Sequence, residues 1–405
     1  MGRLSHTIGL IGLSLFLLIV LATAASEEVL TENNGGVDHD NSDANLQEHH
    51  GEEEEEEIEP AHAVLLPWFV QAAGVVIYFV LTRYFHGIPY TCALFVVGVF
   101  MGAGAARTGL NDQLTDSITL WRSINSEVLF TVFLPGLLFK DAIEVNFHLF
   151  QASISQLLIL AFPMVLAGTL LTACVAMYVF PYDWSFHLAL TFGSILSATD
   201  PVAVAALLNE VGAPPRLKMH IAGESLLNDG SAVVFYTVFS GIFLSELNIG
   251  LGDDYSVGEA FLIFFRMSLG GASVGIAYAL GLILMLRYLD RRYDHEDTVL
   301  QVAATVTVAY LSFYTSEVVC KMSGVIAVVV TGIVTKAFGG GLISDWNVMD
   351  SFWVLLEHLL NTLLFALGGI VFGNIVADKE YGWRGRVNGM NLRMPGDRLR
   401  LTHLY

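Results

Sequence analysis

An all-α polytopic membrane protein is the fold class the sequence predicts, on three observations. Of the 405 residues, 54% are hydrophobic and only 14% charged, with a mean hydropathy of +0.61. That leaves less polar surface than a soluble domain needs. The apolar residues gather into segments of roughly 20, the helix length that crosses a hydrocarbon core. A backbone in lipid has no water to bond, and segments this long satisfy themselves as helices and not as barrel strands.

Taken in order, residues 1–25 open with Arg3, run apolar and end in the small residues "ATAA", with Ser26 next. This is the pattern of a signal peptide or an uncleaved signal anchor. Residues 26–60 hold 14 acids and no Lys or Arg, so they predict an acidic, disordered segment on the outer or lumenal side. That segment supplies most of the net charge of −20, and no nucleic-acid partner is expected. Cys92, Cys174 and Cys320 are isolated in apolar stretches, which predicts neither a disulfide framework nor a zinc site, and no cofactor.

Residues 61–377 form the predicted transmembrane domain, with spans near 62–82, 88–105, 120–139, 153–180, 186–208, 217–245, 258–287, 297–319, 322–337 and 352–377. With the acidic segment outside, the inner loops carry Arg83, Lys140, Arg216, Lys218, Arg287, Arg291 and Arg292. The outer loops are nearly free of base, Arg107 excepted, as the positive-inside rule requires.

Two consecutive spans carry polar groups where lipid should be. Thr199–Asp200–Pro201 lies deep in the fifth, and Glu224, Ser225, Asn228 and Asp229 lie in the sixth. An ionisable residue in the membrane costs at least ~2.5 kcal/mol and marks function by default. Pro201 lacks a backbone donor and disfavours helix just before it, so carbonyls are freed near mid-depth. Freed carbonyls beside a carboxylate suit a small hard cation, and discontinuous helices of this kind line the ion sites of secondary transporters. Ser225 and Asp229 share one helical face, Glu224 and Asn228 an adjacent one. Desolvation favours the protonated acid and a bound cation favours the anion, so H+ and Na+ should exclude each other.

The stretches "ATDPVAVAALL" and "GESLLNDG" resemble the paired signature helices of the Na+/H+ exchangers, in the monovalent cation/proton antiporter family. "FLPGLLF", "MSGVIAVVVTGIV" and "FWVLLEHLLNTLLFALGGIVF" are similar to further family blocks in the same order, over about 62–377. The resemblance implies an inverted-repeat fold with two crossing broken helices, and a homodimer in the plasma membrane more than in an organelle. It implies electroneutral antiport of Na+ for H+ that regulates pH and salt, with K+ or Li+ as alternative cations. Asp229 would be the alternating carboxylate. Thr199 would lend a carbonyl, Ser225 a side-chain oxygen, and Asp200 would act through water. Asn228 stands where an electrogenic branch would carry a second acid. Glu224 would pair with a base elsewhere, and Gly368–Gly369 would be the flexible point of the second broken helix.

Two departures stand out. Lys140 and then Asp141 follow "FLPGLLF", where the family carries an acid; at the inner membrane edge Lys140 is expected to snorkel. Residues 378–405 turn Arg-rich where the family resumes with an apolar helix, so the expectation is a truncated or frame-shifted end that lacks the last helix and leaves the chain defective. A rival reading makes the chain a non-transporting dimer partner of a full-length exchanger. An intramembrane aspartyl protease is a remoter one: Tyr182–Asp183 and the "GLGD" string ending at Asp253 fall in predicted outer loops. "GESLL" lacks the second glycine of a serine-hydrolase elbow, and no enzyme activity is expected.

Overall fold

The computed structural model describes residues 60–84, 88–108, 112–182, 184–199, 204, 208, 211–247, 257–289 and 295–377. The signal segment, the acidic segment up to residue 59, Asp200, Pro201, Asp183, the "GLGD" string and residues 378–405 lie outside them.

Among the described residues there are twelve α-helices and no strand. In chain order they are α1 (Leu65–Tyr84), α2 (Tyr90–Thr108), α3 (Asp112–Ser123), α4 (Ser126–Glu144), α5 (Phe147–Ile159) and α6 (Val165–Tyr178). They continue as α7 (Phe186–Ser197), α8 (Pro215–Glu246), α9 (Val257–Leu289), α10 (His295–Tyr314), α11 (Gly324–Val334) and α12 (Trp346–Ala377). Wide turns at Leu160–Met164, Thr315–Val319 and Thr335–Gly339 join α5 to α6 and extend α10 and α11. Among the described residues, seven helical stretches are long and apolar enough to cross a membrane.

Two predicted spans come out differently. The fifth is the short helix Phe186–Ser197, whereas α2 at Tyr90–Thr108 matches the second. The third, expected over 120–139, is displaced: Asn125 Oδ1 accepts the Glu127 N–H at 3.0 Å, and the helix restarts at Ser126. An Asn side chain that takes up a free backbone donor is a helix-start signal. Asn146, Ser185 and Ser323 cap α5, α7 and α11 in the same way.

The chain divides into two compact units, one of residues 131–357 and the other of residues up to 130 together with those from 358. In the larger unit Trp353 is fully buried, with its ring 4.7 Å from that of Phe139. Tyr310 Oη donates to the Val132 carbonyl at 3.0 Å, and Gln301 bridges Leu342 O and Ser344 N. α9 and α11 meet backbone to backbone, because Gly271 and Gly275 carry no Cβ to strike Ser323 and Ala327.

In the other unit, α2 packs on residues 366–373 of α12 through four glycines. A Cβ on Gly98 or Gly102 would strike the carbonyl of Ala366 or Ile370, and one on Gly369 or Gly373 that of Phe95 or Val99. α12 runs unbroken through Gly368–Gly369. The pair expected to be a flexible point is therefore helical, and Gly369 serves close approach. Tyr90 Oη bonds Thr362 Oγ1 at 2.9 Å, and Trp121 Nε1 donates to Ala63 O at 2.7 Å.

Candidate functional site

α7 is where a span fails to remain helix. Ser185 starts it by accepting the Leu188 N–H, and it ends at Ser197. Ala198, three residues ahead of Pro201, is extended (φ −71°, ψ 133°), so helix is lost before the position that proline itself restricts. The exposed Thr199 follows. Gly193 lets α7 approach the Thr169 backbone of α6 closely, and Thr169 Oγ1 donates to Ser197 Oγ at 3.2 Å.

α8 supplies what faces the interruption. Gly212 (φ 68°) turns the chain and Pro215 opens the helix, where its missing N–H costs nothing. Ser225 Oγ donates to the Thr199 carbonyl at 2.7 Å, and Asn228 Nδ2 donates to Thr199 Oγ1 at 2.9 Å. Ser225 and Asn228, three apart, thus converge on Thr199, the first on its backbone carbonyl and the second on its side-chain hydroxyl. Asn228 is 2% exposed, and its Oδ1 is buried without a hydrogen-bond partner. Asp229 and Glu224 are half-buried. Among the described residues no ion pair joins Glu224 to a base.

Three features of this region escaped the sequence reading. Ser231 Oγ donates to the Ala161 carbonyl, exposed by the wide turn around Pro163; a proline deep in a span was the available signal. Lys140 does not snorkel. It is 3% exposed, with Nζ 2.5 Å from Glu144 and 3.3 Å from Glu357, so two carboxylates neutralise it inside the protein. Its neighbour Asp141 lies within electrostatic reach of Glu357, Lys140, Glu144 and Asp229. The third is the start of α11: Ile326 packs on Gly230, next to Asp229.

A set of membrane-length helices with one span interrupted at mid-course, and polar side chains gathered on the interruption, defines a multi-pass membrane protein built as secondary transporters are. A family profile described as sodium/hydrogen exchanger, transmembrane, matches residues 72–383, and the chain belongs to that family. It is 33% identical over 297 residues to sodium/hydrogen exchanger 7 of Arabidopsis thaliana, covering 72% of this chain and 25% of that protein. It is 36% identical over 251 residues to the Na(+)/H(+) antiporter NhaP of Pseudomonas aeruginosa, covering 60% of this chain and 56% of the other. The fold is like that of the sodium proton antiporter MjNhaP1 of Methanocaldococcus jannaschii at pH 8, with a TM-score of 0.58 at 18% identity, over 76% of this chain and 70% of that one. The chain thus spans between a quarter and just over half of these two curated relatives.

Proposed function

We propose that this protein is a secondary antiporter that exchanges Na+ for H+ across its membrane, with Asp229 as the group that carries each in turn. The observation that supports this best is the convergence of Ser225 and Asn228 on Thr199, one residue from a half-buried Asp229. The carbonyl and hydroxyl of Thr199, the hydroxyl of Ser225 and the partnerless Oδ1 of Asn228 are oxygens, the donors a desolvated alkali cation takes. Beside them the Asp229 carboxylate is either charged with a cation bound or protonated without one, and this exclusion couples the two fluxes. Asp200 is assigned a supporting role through water, and Pro201 keeps the interruption open. Li+ and K+ present the same charge to the same oxygens.

Only one of the adjacent positions 228 and 229 is an acid, so one Na+ replaces one H+ and no net charge moves. We place the protein in the plasma membrane as a homodimer, with pH and salt balance as its role. In proteoliposomes, exchange should dissipate an imposed pH gradient at a rate indifferent to a clamped membrane potential. A rate that follows the voltage rejects the one-for-one stoichiometry.

A further inference from the structure

The first turn of α11 is held by an acid from the helix before it. The Gly324 N–H donates to Glu317 Oε2 at 2.7 Å, and the Ile326 N–H donates to Ser323 Oγ at 3.3 Å. A helix start leaves N–H groups without partners and carries partial positive charge, so a carboxylate bond there is charge-assisted. Glycine leaves room for it, since a Cβ at position 324 would lie 3.0 Å from both Glu317 Oε2 and the Phe313 carbonyl. The same turn is closed by Ser316 Oγ on Ser323 O at 3.0 Å and by the Met322 N–H on Ser316 O at 2.8 Å. It passes through Lys321 at φ 52°.

What this turn carries is the wall behind the ion site. A Cβ on Gly230 would lie 2.9 Å from Ile326 Cγ1 and 3.6 Å from Val325 Cγ1. Both residues belong to the turn that Glu317 caps, and Gly230 follows Asp229 directly. Packing this close transmits a displacement of the α11 start to the α8 backbone at Asn228 and Asp229.

We propose that Glu317 is a positioning residue for the cation site: by capping α11 it fixes Ile326 against Gly230 and so holds Asn228 and Asp229 level with Thr199. The proposal rests on the assignment of Asp229 as the carrier. Its test compares the full chain in nanodiscs with Glu317→Ala, Glu317→Gln and the control Asp229→Asn. Amide hydrogen exchange is read over residues 324–328 and 226–231, Na+ affinity from thermal stabilisation by NaCl, and turnover in proteoliposomes. Glu317→Ala should speed exchange in both segments and weaken apparent Na+ affinity about tenfold, with kcat changed by no more than about twofold. Glu317→Gln keeps an oxygen for the Gly324 N–H and should recover the affinity to within about threefold. If Glu317→Ala fails to insert, Gly324→Ala crowds the same bond from the other side and should give the same readings. Faster amide exchange confined to 324–328, with Na+ affinity unchanged, overturns the proposal. So does an equal loss in Glu317→Ala and Glu317→Gln. Equal Na+ affinity in the parent and Asp229→Asn is instead a failure of the carrier assignment, and the amide arm still judges whether the cap holds residues 226–231.

Discussion

The α7–α8 contact and the α2–α12 contact join apolar helices by different means. Where α7 ends against α8, the free carbonyl of Thr199 is met by Ser225 and its hydroxyl by Asn228. Where α2 meets α12 both helices stay whole and four missing Cβ atoms let them close, with the Tyr90–Thr362 hydroxyl bond at one end of the contact. The first arrangement exposes oxygens to a ligand at the cost of helix continuity. The second keeps its backbone groups bonded within whole helices, and its gain is close van der Waals contact. Polar partners at a helix end suit the candidate site, and glycine spacing along two whole helices suits a joint.

Substitutions can break this contrast from either side. The largest effect is expected from Asp229→Asn, which keeps the side chain's shape and removes its titration; Na+-dependent proton flux should fall about a hundredfold or more with an unchanged elution profile on size exclusion. Near-normal flux would move the carrier role to another acid. Next comes the glycine joint. Gly369→Ala drives a methyl into the Phe95 carbonyl and should cost about 1–3 kcal/mol by thermal melting. Gly368→Ala should cost far less, because a Cβ there meets nothing closer than 4.0 Å. Equal melting of the two variants would sink the reading of Gly369 as a packing glycine.

Ser225→Ala is subtler. It removes one oxygen from the site and the bond to Thr199 O, and should raise KM for Na+ about tenfold while lowering the maximal rate less. A drop confined to the maximal rate would make Ser225 part of the conformational step and not of the site. The smallest effect is expected from deleting residues 26–60 behind an intact signal segment: with so little apolar surface to bury, their loss should leave both flux and KM unchanged in the same vesicle assay.

Much of the site could be read in the sequence because its signals are local. Pro201 forecasts loss of helix just before it, and Ala198 is found extended; the four-residue spacings of Ser225 with Asp229 and of Glu224 with Asn228 forecast polar faces on α8. The failures share a cause, which is that they depend on what lies opposite. Gly368–Gly369 permits a bend and a close approach equally, and only the presence of Phe95 against Gly369 decides for the second. Lys140 reads as a snorkelling base until Glu357, more than 200 residues on, is seen to neutralise it. Family likeness assigns Glu224 a basic partner, yet spacing along one chain carries no information about which.

The wide turn at Leu160–Met164 has a consequence for register. Such a turn holds one residue more than the α-helical turn it replaces, which rotates everything beyond it by about 100° around the axis. Phe150, Ser153 and Leu157 are buried before it, and Val165, Thr169, Ala173 and Ala176 after it. The later set falls one position behind where the earlier set's period would put it, and the inserted residue absorbs that difference. Deleting one residue from this turn would remove the inserted position and leave a second half that presents the wrong side to α7. A stretch that is almost uniformly apolar, and so looks indifferent to its length, is in fact counted to a single residue.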